Sequence, residues 1–165
     1  MERILLVMVL IAGIGFAQDK TAQPAPPPGK FYHLEFTVKE LDGGRVVNSR
    51  SYSMSVVTDK RAAGSVRAGE KISVHPTTTS TDLVDIGTSL DCREAKEIGD
   101  RLMLDLTSVI SYLVSTDKDS NPTIRQNLWS GYVLVPLRKN TVVFTSADPS
   151  SKGVLEMDVI ATPVN

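Results

Sequence analysis

The sequence predicts an all-β fold, an antiparallel β-sandwich or curled sheet of about eight strands. Three observations lead there. Segments in which apolar and polar residues alternate recur along the chain, and that period of two marks half-buried strands. Polar turns rich in Gly, Pro, Asn and Asp separate them. No amphipathic helical pattern of useful length follows the N-terminal segment, and Ser, Thr and Val are frequent, which favours strands.

The 165 residues suit one folded domain. Residues 1–17 read as a signal peptide: Arg3 gives a positive start, Ile4–Ile14 is an apolar run too short to span a bilayer, and Gly15-Phe16-Ala17 places small residues for cleavage after Ala17. Residues 18–30 (QDKTAQPAPPPGK) read as a Pro-rich linker, a semi-rigid spacer of extended polyproline character. Residues 31–165 form the single β-domain. No Cys stands near the cleavage site, so no lipid anchor is expected. The product is therefore exported: periplasmic, extracellular or outer-membrane associated. One cysteine, Cys92, leaves no internal disulfide, and its place in a strand reads as a small apolar residue. With 18 basic and 19 acidic residues there is no net field to draw in nucleic acid, which is not expected as a partner.

The strands follow in order. Phe31–Glu40 puts Tyr32, Leu34, Phe36 and Val38 on one face, and Leu41-Asp42-Gly43-Gly44 supplies a hairpin turn. Arg45–Thr58 returns with Tyr52, Met54 and Val56 together. Ser65–His75 holds Gly69 between two short strand pieces, and Pro76–Thr81 reads as a loop, since Pro76 cannot continue a central ladder. Asp82–Arg93 gathers Val84, Ile86, Leu90 and Cys92 on one face with a bend at Gly87, and Glu94–Asp100 reads as a polar turn. Arg101–Val114 aligns Leu102, Leu104, Leu106, Ser108 and Ile110. After the charged loop Ser115–Pro122, Thr123–Pro136 aligns Trp129, Gly131, Val133 and Val135, with Trp129 a large core residue over a small one. Leu137–Asn140 turns into Thr141–Ser146. Ala147–Gly153 turns into Val154–Pro163, where Leu155, Met157, Val159 and Ala161 alternate with Glu156, Asp158 and Ile160.

No catalytic set assembles from these residues. His33 and His75 have no second His or Cys at metal-ligand spacing, so no metal and no cofactor are expected. Asp117–Asn121 carries calcium-type oxygen ligands at alternate positions. Pro122 stands where the sixth-position glycine belongs, and no bidentate Glu follows, so the loop reads as a solvated turn. Ser115-Thr116-Asp117-Lys118 has the spacing of a serine acylation motif but lacks its companions. Asp82, Asp85, Asp91 and Asp105 would have to meet across strands to serve a hydrolase. The chain reads as non-enzymatic. Strand-only domains with exposed edges can add a strand from a neighbour, which favours a protein partner. The alternative is a β-sandwich module binding a carbohydrate or peptide ligand.

Four stretches carry a family likeness: Ala68–Val74, Val84–Cys92, Leu102–Ser111 and Pro122–Pro136. In order they resemble the β-domain of secretins, the outer-membrane ring proteins of type II and III secretion and type IV pilus systems. Ile86-Gly87-Thr88-Ser89-Leu90 takes the place of the glycine-leucine strand and Leu104–Ser108 that of the strand after it. Pro122 and Arg125 match the proline–arginine segment, and Leu137–Thr145 the last strand. Asp91-Cys92-Arg93 departs from the family's proline, and Ser146-Ala147-Asp148 from its glycine-glycine-leucine. The likeness spans roughly Arg45–Asp148. It implies a role in assembly in the cell envelope, with an envelope protein as partner, such as secretion or pilus machinery, or a homo-oligomer. It leaves no room for ring-building N-terminal domains or long membrane-spanning hairpins.

Overall fold

The chain is described by a computed structural model covering residues 29–58, 61–77, 80–116, 122–147 and 153–164. Residues 1–28, which hold the expected leader and most of the expected linker, and the Asp117–Asn121 segment lie outside these residues.

Eight strands form two antiparallel four-stranded sheets that do not close into a barrel, as the alternation predicted. The strands are β1 (Phe31–Asp42), β2 (Arg45–Val57), β3 (Arg61–Thr77), β4 (Ser80–Ile98), β5 (Arg101–Thr116), β6 (Pro122–Pro136), β7 (Thr141–Ala147) and β8 (Gly153–Pro163). One sheet has the order β2-β1-β8-β7; the other is the meander β3-β4-β5-β6. The first hairpin turns at Gly43-Gly44, both at positive φ, where glycine carries no Cβ penalty. The chain crosses to the meander after β2 and returns through the turn after β6. There Leu137 bridges to Ala161, and the Arg138 N–H donates to the Ala161 carbonyl at 2.8 Å. Thr58 and Lys30 exchange backbone and side-chain bonds at 2.9 Å, and the Val164 N–H reaches the Phe31 carbonyl, so both ends of the described chain are tied to β1 and β2.

The core lies between the sheets and matches the predicted faces. Tyr32, Leu34, Phe36 and Val38 come from β1, and Met54 and Val56 from β2. Leu90 and Cys92 come from β4, Leu102, Leu104, Leu106 and Ile110 from β5, and Leu155, Met157, Val159 and Ala161 from β8. Trp129 lies over Gly131, whose Cβ position is 3.5 Å from the indole, and its ring sits 5.9 Å from that of Phe144 across the sandwich. That fulfils the large-over-small expectation.

Several strand ends differ from the sequence reading: Arg61–Gly64, expected in a polar turn, opens β3, and β5 and β6 reach Thr116 and Pro122 of the expected charged loop. Two further differences have a visible reason. Glu94–Ile98 is strand, not turn; only Gly99-Asp100 turns. A bulge at Arg93 shifts the phase, so the core-facing positions run Leu90, Cys92 and then Ala95, and the alternation is interrupted in the sequence. Likewise β3 continues to Thr77 past Pro76, because β3 is an edge strand and its register shifts between Val74 and Thr77. The meander strands therefore run 17, 19, 16 and 15 residues. Their hairpins are longer than the sequence reading allowed.

Asp158 is a surprise of the outer face of the first sheet. It is almost fully buried, held by Lys39 and by the Asn140 side-chain amide at 3.1 Å. The carboxylate in turn raises the Lys39 pKa, chiefly through this bond. Removing buried atoms from the shared layer tests the core directly. Phe36→Ala should lower unfolding stability by about 3–5 kcal/mol in chemical denaturation, with the cavity left at a site that is fully enclosed.

Candidate functional site: the outer face and free edges of the meander

Cross-strand pairing places the odd-numbered residues of β5 and the even-numbered residues of β6 side by side on the outer face. Met103 pairs with Leu134, Asp105 with Tyr132, Thr107 with Ser130, Val109 with Leu128, Ser111 with Gln126 and Leu113 with Ile124. On the β3–β4 side the same face carries charge. One Arg67 guanidinium nitrogen reaches both Asp91 oxygens at 2.8 and 2.9 Å, and Lys71 lies 2.9 Å from Asp85. Between the two halves, Arg93 donates to Asp105 at 2.8 Å and to Ser130 at 3.1 Å, and the Ser130 and Thr107 hydroxyls are 2.9 Å apart. Arg93 follows inward-facing Cys92 and so points to the outer face at the bulge, where it lies over the largely buried Asp105.

This arrangement answers the hydrolase question residue by residue. Asp85, Asp91 and Asp105 each hold a different cation, and Asp82 is exposed on the β4 arm. The carboxylates form a ladder of cross-strand pairs rather than a converging acid pair. His33 lies half-buried beside Glu35 at 3.5 Å, and His75 falls within β3. No group of three or more metal-capable side chains forms among the described residues, and no helix among them is long and apolar enough to cross a membrane. The calcium-type loop lies outside the described residues. Cys92 is enclosed, its thiol donating to the Glu94 carbonyl at 3.3 Å, and burial pushes its pKa up to about 12. That environment disfavours the thiolate and its reactivity.

The edges differ sharply from one another. β3 carries Arg67, Glu70 and Lys71. Charged side chains of this kind disfavour pairing of β3 with a second, identical β3 edge. β6, at the opposite edge, is 15 residues long with one charged residue, Arg125. Its outward side chains include Leu128 and Tyr132, each 67% exposed, and Leu134. In the other sheet β7 is also uncharged but only 7 residues long. Sequence reasoning found the β6 strand but not its edge position, which depends on strand order.

No protein-family profile and no curated protein matches the sequence. Solved structures do match. The fold is similar to the Salmonella SPI-1 type III secretion injectisome secretin InvG, at a TM-score of 0.57 and 10% identity over 83% of this chain and 65% of that one. It is similar to the type II secretion system secretin GspD of E. coli K12, at 0.55 and 11% over 84% and 51%. It is also similar to the type II secretin XcpQ of Pseudomonas aeruginosa, at 0.55 and 11% over 84% and 60%. The resemblance carried by the strand motifs is thus present in the fold. The chain spans about half to two thirds of the secretin chains it matches.

The Cys92 environment sets a pH dependence. Its folded pKa is raised, so its contribution to stability is complete below the unfolded thiol value near 9 and is lost as pH climbs toward 12. The folded protein should resist alkylation at pH 8 and react at once in denaturant. Cys92→Ala should lose less stability than the parent chain between pH 9 and pH 11, as read by chemical denaturation.

Proposed function

We propose that this chain is an exported, non-enzymatic assembly module with a secretin-type β-domain, joining copies of itself or an envelope protein partner by strand addition at β6. The single observation that carries the reading is the unguarded β6 edge, long, nearly uncharged and lined with exposed Leu128, Tyr132 and Leu134. An open edge offers unpaired backbone donors and acceptors, and the alternate outward side chains supply apolar contact. The charged β3 edge at the far side makes the two edges unlike, so β6-to-β3 contact between copies would be head-to-tail. Such contacts close into rings when the rotation permits and otherwise grow.

The solved secretins similar in fold support this reading. One of them is described together with the injectisome basal body proteins PrgH and PrgK, and another in a complex with the pilotin AspS. A partner from secretion or pilus machinery follows from that likeness. A periplasmic or outer-membrane-associated setting fits both it and the leader-like N-terminal sequence. The paired acids of the outer face, each neutralised across a strand, support structure rather than hydrolysis.

Self-association is measurable without a known partner. Light scattering behind size exclusion, with negative-stain imaging, should show ring or stacked species for the chain without residues 1–17. Leu128→Lys with Tyr132→Lys should shift it to monomer, weakening association at least ~10-fold while leaving the unfolding midpoint nearly unchanged, since both side chains are exposed. A parent chain that is monomeric at every concentration, and that captures no secretion or pilus component, would remove the reading.

A further inference from the structure

The meander is creased along one transverse row: Gly69 of β3, Gly87 of β4, Ser111 of β5 and Gln126 of β6 pair in sequence across all four strands. Two glycines face each other at the crease, and in this splayed arrangement neither position admits a side chain. A Cβ on Gly87 would lie 2.2 Å from the Ala68 carbonyl oxygen, and one on Gly69 would lie 2.0 Å from that of Ile86. Gly87 has φ +130, a left-handed conformation that other residues adopt only with strain.

Pairing changes at this row. β3 and β4 stay in register straight through it, from Ala68–Thr88 to Glu70–Ile86. β4 and β5 pair from Ile98–Arg101 as far as Gly87–Ser111 and then part. Beyond it β4 pairs with β3 alone and β5 with β6 alone, so two hairpin arms diverge. The Ser111 hydroxyl stands in for the interrupted ladder. It accepts from the Gly87 N–H at 3.2 Å and lies 3.2 Å from the Asp85 carbonyl. On the near side of the crease Thr88 is buried and receives the Tyr52 hydroxyl from the opposite sheet at 2.9 Å, followed by buried Leu90 and Cys92. On the far side no β4 residue from Asp82 to Gly87 is buried, and on β5 Leu113 and Val114 are exposed. The crease therefore separates an anchored half from two protruding arms with facing, unpaired ladder edges.

The sequence on those edges matches in register. Extending the observed pairing by single steps sets Ile86 opposite Tyr112, Asp85 opposite Leu113 and Val84 opposite Val114. Val84 and Ile86 have the parity of the buried Leu90 and Cys92, and Tyr112 and Val114 that of the buried Leu106 and Ile110. Straightening β4 at Gly87 would thus continue the ladder and bring apolar residues together on the inner face.

We propose that Gly69–Gly87 is a hinge on which the β3–β4 arm closes onto β5, zipping Asp85 to Leu113 and Val84 to Val114, with the splayed arrangement as its open state. The inference stands apart from the assembly reading, because it concerns the inside of the sheet and not the β6 edge. Closure joins edges that match in register, with Val84 and Ile86 meeting Val114 and Tyr112 on the inner face. It also relieves the left-handed conformation at Gly87, and it releases Ser111 from its bridging role. The open state leaves two strand edges free, and the closed state leaves none between the arms.

Cysteine pairs test it in the full chain with Cys92→Ala. Asp85→Cys with Leu113→Cys and Val84→Cys with Val114→Cys cover both kinds of antiparallel pair, whose close Cα spacing suits a disulfide. Asp85→Cys with Val109→Cys is the out-of-register control. Mild oxidation should crosslink at least one in-register pair with the sheet signal in circular dichroism retained, and should leave the control reduced. Gly87→Ala should fold and speed that crosslink about tenfold, because alanine is strained in the open state and accepted in the straight one. No crosslink in either pair, equal crosslinking in the control, or a Gly87→Ala chain that fails to unfold cooperatively would each overturn the hinge.

Discussion

The apolar layer between the two sheets is the constraint on which the rest of the structure depends. A single enclosed cysteine leaves no disulfide to help it. Neither sheet is covered on its outer side among the described residues, so each must bury its one apolar face against the other. β1 and β8, at the centre of one sheet, and β4 and β5, at the centre of the other, supply nearly all of the fully enclosed side chains. The edge strands β2, β3, β6 and β7 contribute less, and their outer halves are left to solvent or to another chain. Both the assembly reading and the hinge follow from that division. The centre is fixed by burial, whereas edges and arms are held by little beyond their own ladders.

The inner face was legible in the sequence because alternation survives wherever the ladder is regular. Tyr32 to Val38, Leu102 to Ile110 and Leu155 to Ala161 all point inward as their spacing indicates. Legibility failed where the ladder is irregular. The bulge at Arg93 breaks the phase and hid the second half of β4. Pro76 looked terminal because strand order, and so the edge position of β3, is not written in local sequence. Asp158 shows a third limit. Its alternation assigned it to the outer face correctly, yet Lys39 and the 137–140 turn enclose it, and such cover comes from distant residues.

The candidate site was still less legible. The charged outer-face residues could be seen in the sequence, but whether they converge or pair depends on register. Arg67 meets Asp91 and Arg93 meets Asp105 only because β3, β4 and β5 stack in one particular alignment. The same reasoning explains how a fold can match secretins at 8–11% identity. A sheet needs the inside–outside period, turn residues and a few bulges and glycines, while most individual side chains can change. The bend at Gly87 was visible as a glycine within a strand pattern. Its partner Gly69, and the hydroxyl of Ser111 that closes the crease, became meaningful only once the three strands were aligned.

Hydrogen exchange read peptide by peptide at low and high protein concentration tests the account most directly. If the core strands carry the fold and β6 is the edge used for assembly, peptides from β1, β5 and β8 will be protected at both concentrations. The Pro122–Pro136 peptide will gain protection only on concentration. Equal protection of β6 in the most dilute sample, or a gain confined to β7 or β2, would contradict it.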